Sequence, residues 1–258
     1  MAVVALMSHR GAPGVTTAAL AIAAAWPVQA GRRKVLIEAD PAGGVMALRY
    51  GIGVEPGLVT LAAAMRAEPS ADTLWAHTQQ LPGGLDVVVA PDSPGATDAA
   101  LNHAGRRLIR WLAELDDVDV IIDLGRATAD SATPFLTGAT AVLVVARPDA
   151  EQLVPTAHRI GSLNRGDVAW LLIGDRPYTA DDVTKAYGFP VAGVIADDRR
   201  GVAAMETGAG GSSLKRSLLA RSAGHVATSL ASALSPSLVP PTEPAATQPA
   251  PDPAEDAP

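Results

Sequence analysis

Residues 3–17 read VVALMSHRGAPGVTT, a short apolar run followed by a loop with two glycines and a closing pair of threonines. The apolar run is typical of a buried strand, and residues 16–26 have the composition of a helix. A loop that leaves a strand and opens a helix turns backbone N–H groups toward an anion. This segment therefore predicts a phosphate-binding loop after a first strand.

The remaining chain alternates short apolar runs with helical stretches, a pattern typical of a parallel sheet covered by helices. Seven strands are predicted, several of them continuously apolar as in strands buried on both faces: residues 3–7, 34–39, 85–90, 118–124, 139–146, 169–173 and 191–195. Seven helices are predicted: residues 16–26, 44–50, 58–66, 98–115, 151–163, 180–187 and 214–234. We expect an α/β fold whose parallel sheet has seven or eight strands and helices on both faces.

Length and composition allow one large α/β domain or two small ones. The chain has 258 residues, of which 48% are hydrophobic and 18% charged, enough to bury a substantial core. We expect a single domain over residues 1–234. Residues 235–258 are rich in proline, alanine and acidic side chains without periodicity, which predicts a disordered tail.

Several classes of function are excluded or disfavoured. The chain has no cysteine, which excludes disulfides, thiolate zinc sites, iron–sulfur clusters and cysteine nucleophiles. The first apolar run is too short for a secretory or membrane-spanning segment, so we expect a cytoplasmic protein without a membrane span. A net charge of −7 argues mildly against a nucleic-acid-binding surface over the whole protein. Four histidines lack paired metal-ligand spacing and are interpreted as structural or surface residues: His77, His103, His158 and His225.

The loop matches the common phosphate-binding motif only in part. Against G-x-x-x-x-G-K-[ST], residues 9–16 keep Gly14 and Thr16, but His9 replaces the first glycine and Val15 replaces the lysine. One alternative is a tight strand-to-helix turn in which the glycines supply backbone freedom. Another is a dinucleotide-binding unit with Glu38 on the ribose, although the chain offers G-x-x-G rather than G-x-G-x-x-G.

Four separate elements resemble the ParA/MinD ATPases. Residues 10–17, RGAPGVTT, are similar to that family's deviant loop K-G-G-x-G-K-[ST]-[ST]. Residues 34–44, KVLIEADPAGG, resemble its V-L-L-I-D-x-D-P-x-G element, and residues 118–123, VDVIID, resemble its Walker B strand. Similarity continues through residues 57–94, 142–165 and VAGVIADDRRGVAAMETG near the end of the domain. The resemblance therefore spans nearly the whole predicted domain.

The resemblance implies a P-loop NTPase fold of the SIMIBI type with ATP and Mg²⁺ as cofactors. It implies a nucleotide-binding loop made of Arg10, Gly11, Ala12, Pro13, Gly14, Val15, Thr16 and Thr17. Thr16 and Asp123 are the implied magnesium ligands. The implied catalytic residues are Glu38, Asp40 and Arg10, and Arg10 stands where the family has a lysine that reaches across a homodimer.

Departures from the family pattern limit the predicted chemistry. Val15 removes the central cation of the loop, so hydrolysis should suffer before binding does, and we expect at most a weak ATPase. Arg10 could partly replace that cation. Gly174 follows a predicted strand where the family usually has an asparagine that reads adenine, which leaves the base preference open.

Three functions are compatible with these residues. The first is a nucleotide-binding switch or positioning protein that acts through a homodimer and docks DNA or a protein partner. The second is a pseudo-ATPase adaptor or scaffold that needs no nucleotide. The third, a ligase or synthetase of the same superfamily, would require substrate-binding residues that the sequence does not reveal. A basic cluster could face DNA or simply be a solvated edge: Arg199, Arg200, Lys215, Arg216 and Arg221.

Overall fold

The computed structural model describes residues 2–10, 13–28, 30–207 and 212–235. Its centre is a sheet of eight strands in the order β3-β4-β2-β5-β1-β6-β7-β8, parallel except for the β3–β4 pair. The strands are β1 (Val3–Ser8), β2 (Arg33–Glu38), β3 (Gln79–Gln80), β4 (Asp86–Val88), β5 (Val118–Arg126), β6 (Ala141–Ala146), β7 (Val168–Ile173) and β8 (Val191–Ile195).

Helices connect the strands and cover both faces of the sheet. They are α1 (Val15–Ala25), α2 (Met46–Tyr50), α3 (Leu58–Ala64), α4 (Ala71–Ala76), α5 (Pro94–Leu112), α6 (Thr133–Gly138), α7 (Ala150–Leu163), α8 (Ala180–Tyr187), α9 (Arg199–Glu206), α10 (Ser212–Lys215) and α11 (Leu218–Leu234), with a short 3₁₀ helix at Asp130–Ala132. No helix within the described ranges is both long and apolar enough to cross a membrane.

The core lies on the two faces of the sheet. Strand β1 pairs with β5 and β6 and is buried along its whole length, as expected for the continuous apolar run at residues 3–7. Alternate residues of the central strands contribute to two apolar clusters, one beneath α5 and α7 and one beneath α1 and α11. The predicted α/β fold, with a mostly parallel sheet and helices on both faces, is confirmed.

The structure differs from the sequence prediction in several short elements. The prediction missed β3, which has only two residues and no apolar pattern, and it missed α4, α6 and α9. Helix α5 begins at Pro94 rather than at residue 98, because Ser93 caps it and accepts the N–H of Ala96. The predicted helix at 214–234 is two helices, since the Ser217 hydroxyl caps a new helix by accepting the N–H of Ala220.

The predicted tail lies almost entirely outside the described residues. Only Ser235 of the range 235–258 is described, and it ends α11, with its N–H donating to the Ala231 carbonyl. Loop residues Gly11 and Ala12, which the resemblance assigns to the nucleotide site, also lie outside the described residues. The loop is therefore described on both sides of that gap.

Candidate functional site

Helix α1 begins directly after the loop, and no side chain among the described residues caps it. Gly14 is the N-cap residue and adopts a left-handed conformation, with φ of 104°. A helix that starts without a side-chain cap presents unsatisfied N–H groups and the positive end of its dipole. The start of α1 therefore has the backbone geometry that an anionic phosphate requires.

Val15 stands where the common motif has a lysine, but its apolar side chain cannot bind phosphate by charge. Its side chain is buried in the apolar cluster under α1. Arg10 is exposed at the edge of the loop. Burial lowers the pKa of the adjacent His9, and the nearby positive charges of Arg159 and Arg10 lower it further. The loop thus carries one exposed arginine and a histidine disposed to be neutral.

The sheet register brings the predicted carboxylates to the same edge. Glu38 at the end of β2 is the direct partner of Asp123 on β5, and Leu6 of β1 lies on the other side of Asp123. Asp40 follows two residues beyond Glu38. Because the carboxyl ends of parallel strands meet at one edge, these acids lie at the same edge as the loop that follows β1.

Asp123 is completely buried. Its Oδ1 accepts the N–H of Gly125 at 2.9 Å, whereas its Oδ2 has no hydrogen-bond partner among the described residues. Burial raises the pKa of Asp123 to about 7, with smaller contributions from Glu38 and Asp40. The nearby Thr16 hydroxyl and Gly125 N–H lower the pKa of Asp123. The Thr16 hydroxyl nevertheless does not meet hydrogen-bond geometry with Asp123 Oδ2. An unpaired buried carboxylate oxygen beside a threonine is a strong candidate ligand for a cation.

Magnesium fits this arrangement only together with a phosphate ligand. Mg²⁺ is usually held by one or two protein oxygens, several waters and substrate phosphate oxygens. The described residues contain no group of three or more histidine or acidic side chains that could hold a metal alone. Thr16 and Asp123 therefore match the protein share of a magnesium–nucleotide site rather than a complete metal site.

Glu38 anchors the segment that follows β2. Its Oε1 accepts the N–H groups of Val45 at 2.7 Å and Met46 at 3.0 Å, and its Oε2 accepts the N–H of Ala90 at 3.0 Å. Burial raises its pKa, although these three hydrogen bonds act in the opposite direction. The carboxylate holds the start of α2 against the end of β4. The structure thus gives Glu38 a positioning role, and its predicted catalytic role stays a prediction.

Asp40 packs against the end of β5. Its Oδ1 accepts the N–H of Ala42 at 2.9 Å. Burial raises its pKa, while hydrogen bonds from the Ala42 and Arg126 N–H groups and the positive charge of Arg126 lower it. A Cβ added at Gly125 would lie 2.7 Å from the Cβ of Asp40, so only glycine fits there. Sequence reasoning missed both Gly125 and Arg126, although they directly follow the recognised acidic strand.

A second group that sequence reasoning missed lies on the other side of α1. A cavity of about 330 Å³ is lined by Gly14 and Thr17 and by residues at or just beyond the ends of β6, β7 and β8. We call it the strand-end cavity. Within it, Arg147 Nη1 donates to Asp197 Oδ2 at 2.7 Å. The position of both residues just after predicted strands was a signal available in the sequence.

Comparison with known proteins supports the same fold. No protein-family model and no curated protein sequence matches the chain. The cell division ATPase MinD of Pyrococcus furiosus has a TM-score of 0.68 and 18% identity, covering 90% of this chain and 99% of its own. A ParA family ATPase from Chlorobium tepidum has a TM-score of 0.65 and 18% identity, covering 88% of this chain and 98% of its own.

An enzyme of the same fold also matches. Cobyrinic acid a,c-diamide synthase from Mycobacterium smegmatis, with ADP and magnesium bound, has a TM-score of 0.55 and 25% identity, covering 81% of this chain and 91% of its own. The chain therefore has the ParA/MinD-like P-loop ATPase fold, as the sequence resemblance predicted. The neighbours include proteins that bind adenine nucleotide and magnesium.

Proposed function

We propose that this chain is a ParA/MinD-like nucleotide-binding switch or positioning protein that hydrolyses ATP weakly or not at all. The observation that carries the proposal is the meeting of two features: a helix start that no described side chain caps, and a buried carboxylate oxygen of Asp123 without a partner among the described residues. The helix start suits phosphates, and the carboxylate and Thr16 suit the magnesium that accompanies them. When bound, magnesium would neutralise phosphate charge.

Weak hydrolysis follows from the missing cation. Phosphoryl transfer depends on positive groups that stabilise charge developing on the phosphate oxygens. Val15 supplies an apolar side chain instead, and it is buried in the core. Arg10 lies in the loop and Arg126 at the end of β5, and neither stands at position 15, where the common motif has its central lysine.

Isothermal titration calorimetry with Mg²⁺ and ATP tests this proposal, with Asp123→Asn as the informative variant. Asparagine keeps the shape of the side chain and removes a charge that is costly to bury, so the variant should fold at least as stably as wild type. Magnesium-dependent binding should fall by about tenfold or more. If wild type binds none of ATP, GTP and inorganic pyrophosphate with Mg²⁺, the nucleotide-binding proposal is wrong and the pseudo-ATPase adaptor is the better account.

Restoring the missing cation gives a second test. Val15→Lys should raise ATP affinity because the long side chain can extend its ammonium group from the apolar cluster toward the loop. Val15→Met is the matched control, since methionine has similar length without charge. A gain of about tenfold for lysine but not for methionine is expected. Equal affinities would show that phosphate does not lie over this position.

Dimerisation and partner docking form the output of the proposed switch. Arg10 is exposed and aligns with the family's cross-dimer lysine, so Arg10→Ala should weaken nucleotide-dependent association in sedimentation experiments. For docking, a protein partner or DNA is proposed. The basic residues of α9, α10 and the start of α11 are exposed on neighbouring helices, which supports testing DNA binding directly.

A further inference from the structure

The strand-end cavity has a polar wall formed by the Arg147–Asp197 ion pair. Arg147 follows β6 and Asp197 follows β8, and their side chains meet across the end of the intervening strand β7. Gly174 ends that strand in a left-handed conformation, with φ of 82°, and its missing side chain leaves the space open. A Cβ at Gly174 would approach the Cβ of Asp197 to 3.8 Å. A Cβ at residue 174 would thus be in ordinary contact with Asp197, and the ion pair lies beside the end of β7.

The pair remains available to a ligand. The Arg147 and Asp197 side chains are 42% and 47% exposed, and the one bond between them joins Nη1 to Oδ2. No hydrogen bond within the described residues occupies Asp197 Oδ1 or Arg147 Nη2. The neighbouring Asp198 is different, because it caps α9 by accepting the N–H of Gly201 and also binds the start of α11. The cavity thus presents one open acceptor beside one open donor.

The remaining wall has an apolar part that suits a flat ring and a charged part made of Asp198, Arg199 and Glu206. Ile173, Ala196 and Val202 line the cavity together with Pro13 from the loop. Its volume of about 330 Å³ lies at the lower end of the range usual for small-molecule pockets, roughly 300 to 1,000 Å³. The same cavity reaches Gly14 and Thr17, so a ring bound here could be joined to phosphates at the start of α1.

We propose that the Arg147–Asp197 pair makes this a guanine-selective site, so that the preferred ligand is a guanine rather than an adenine nucleotide. This inference rests on the proposed function, because it takes the phosphates to bind at α1. Guanine presents the acceptor O6 next to two donors, N1–H and the 2-amino group. Arg147 can donate to O6 while Asp197 accepts both N–H groups. Adenine offers the carboxylate only its 6-amino group, which leaves one charge-assisted hydrogen bond fewer.

Calorimetric titration of the full chain with Mg²⁺ and either GDP or ADP tests the proposal directly. We expect GDP to bind about tenfold or more tightly than ADP, the effect of one additional charge-assisted hydrogen bond. ADP binding that equals or exceeds GDP binding overturns the guanine assignment and leaves the proposed nucleotide switch intact. Binding of inorganic pyrophosphate as tight as that of GDP also overturns it, since the base would then contribute nothing. Absence of binding to all three overturns both proposals.

Asp197→Asn separates base recognition from folding. The asparagine oxygen can accept N1–H, and its amide nitrogen can donate to the 2-oxygen of xanthine. In guanine the same amide nitrogen would face the 2-amino group, which is also a donor. GDP affinity should fall by about tenfold or more, xanthosine diphosphate affinity should rise, and ADP affinity should stay within about threefold. Asp175→Asn is the matched control, because Asp175 is an exposed carboxylate outside the cavity. Unchanged GDP affinity in Asp197→Asn would overturn the proposal, and the wild-type comparison alone decides it if that variant does not fold.

Discussion

Gly125→Ala should reveal how closely the end of β5 packs against Asp40. Gly125 has φ of 51°, a left-handed conformation that costs a non-glycine residue about 1 to 2 kcal/mol. The added Cβ would also lie 2.7 Å from the Cβ of Asp40 and nearer still to its carboxylate. Asp40 would have to move and lose its hydrogen bond to the Ala42 N–H, for a further cost of about 1 to 3 kcal/mol.

Gly31→Ala is the control that separates these two costs. Gly31 is also left-handed, with φ of 81°, but a Cβ there would meet no atom within 4 Å. It should therefore show the conformational cost alone. Urea titrations of both variants give the free energy of unfolding, and the difference between them measures the clash with Asp40.

The expected difference is at least about 1 kcal/mol, with Gly125→Ala the less stable variant. Gly125→Ala should also weaken binding of the magnesium–nucleotide complex if Asp40 takes part in the site, whereas Gly31→Ala should not. Equal stabilities within about 0.5 kcal/mol would refute the packing of Gly125 on Asp40.

Three further variants test the polar framework. Glu38→Gln should lower the free energy of unfolding by about 1 to 3 kcal/mol in urea titrations, because the glutamine amide nitrogen would face a backbone N–H that now donates to the carboxylate. A variant as stable as wild type would contradict the anchoring role of Glu38. Asp119→Asn should cost a similar amount by weakening the ion pair with Arg32, and an Arg32→Ala background should reduce that cost if the pair is responsible. Burial lowers the pKa of His77 below 6.5, so protonation favours the unfolded chain and the free energy of unfolding should fall as the pH drops below 6.5. His77→Gln should reduce this fall, and an unchanged pH profile in the variant would contradict the role of His77.

Most of the fold could be predicted because its central strands carry their own signal. A strand buried on both faces must be apolar along its whole length, and β1, β6 and β7 show this pattern plainly. The missed elements lack such a signal. Helix α9 begins with two arginines and a glycine and is held in part by the Asp198 cap, so its stability comes from a specific contact rather than from periodicity. The start of α5 was predictable, since Ser93 and Pro94 form a recognisable helix start.

Residues of the candidate site could be predicted only where a short local motif identifies them. Thr16 and Asp123 each follow from a local motif and its order in the chain. The Arg147–Asp197 pair joins residues 50 positions apart, and no local pattern indicates that they meet. The topological rule that strand ends converge could have placed them at one edge, but it does not say which side chains pair there.

The charge at the site explains why magnesium should matter more here than in a site with a loop lysine. Burial raises the pKa of Glu38, Asp40 and Asp123, and the charges of the first two raise that of Asp123 further. Triphosphate would add negative charge next to these acids, with Val15 where a cation would otherwise compensate. A divalent cation held by Thr16 and Asp123 would offset the negative charge of the phosphates and of the acidic side chains. Nucleotide binding should therefore require Mg²⁺, and Val15→Lys should relax that requirement because its ammonium group would supply part of the same charge.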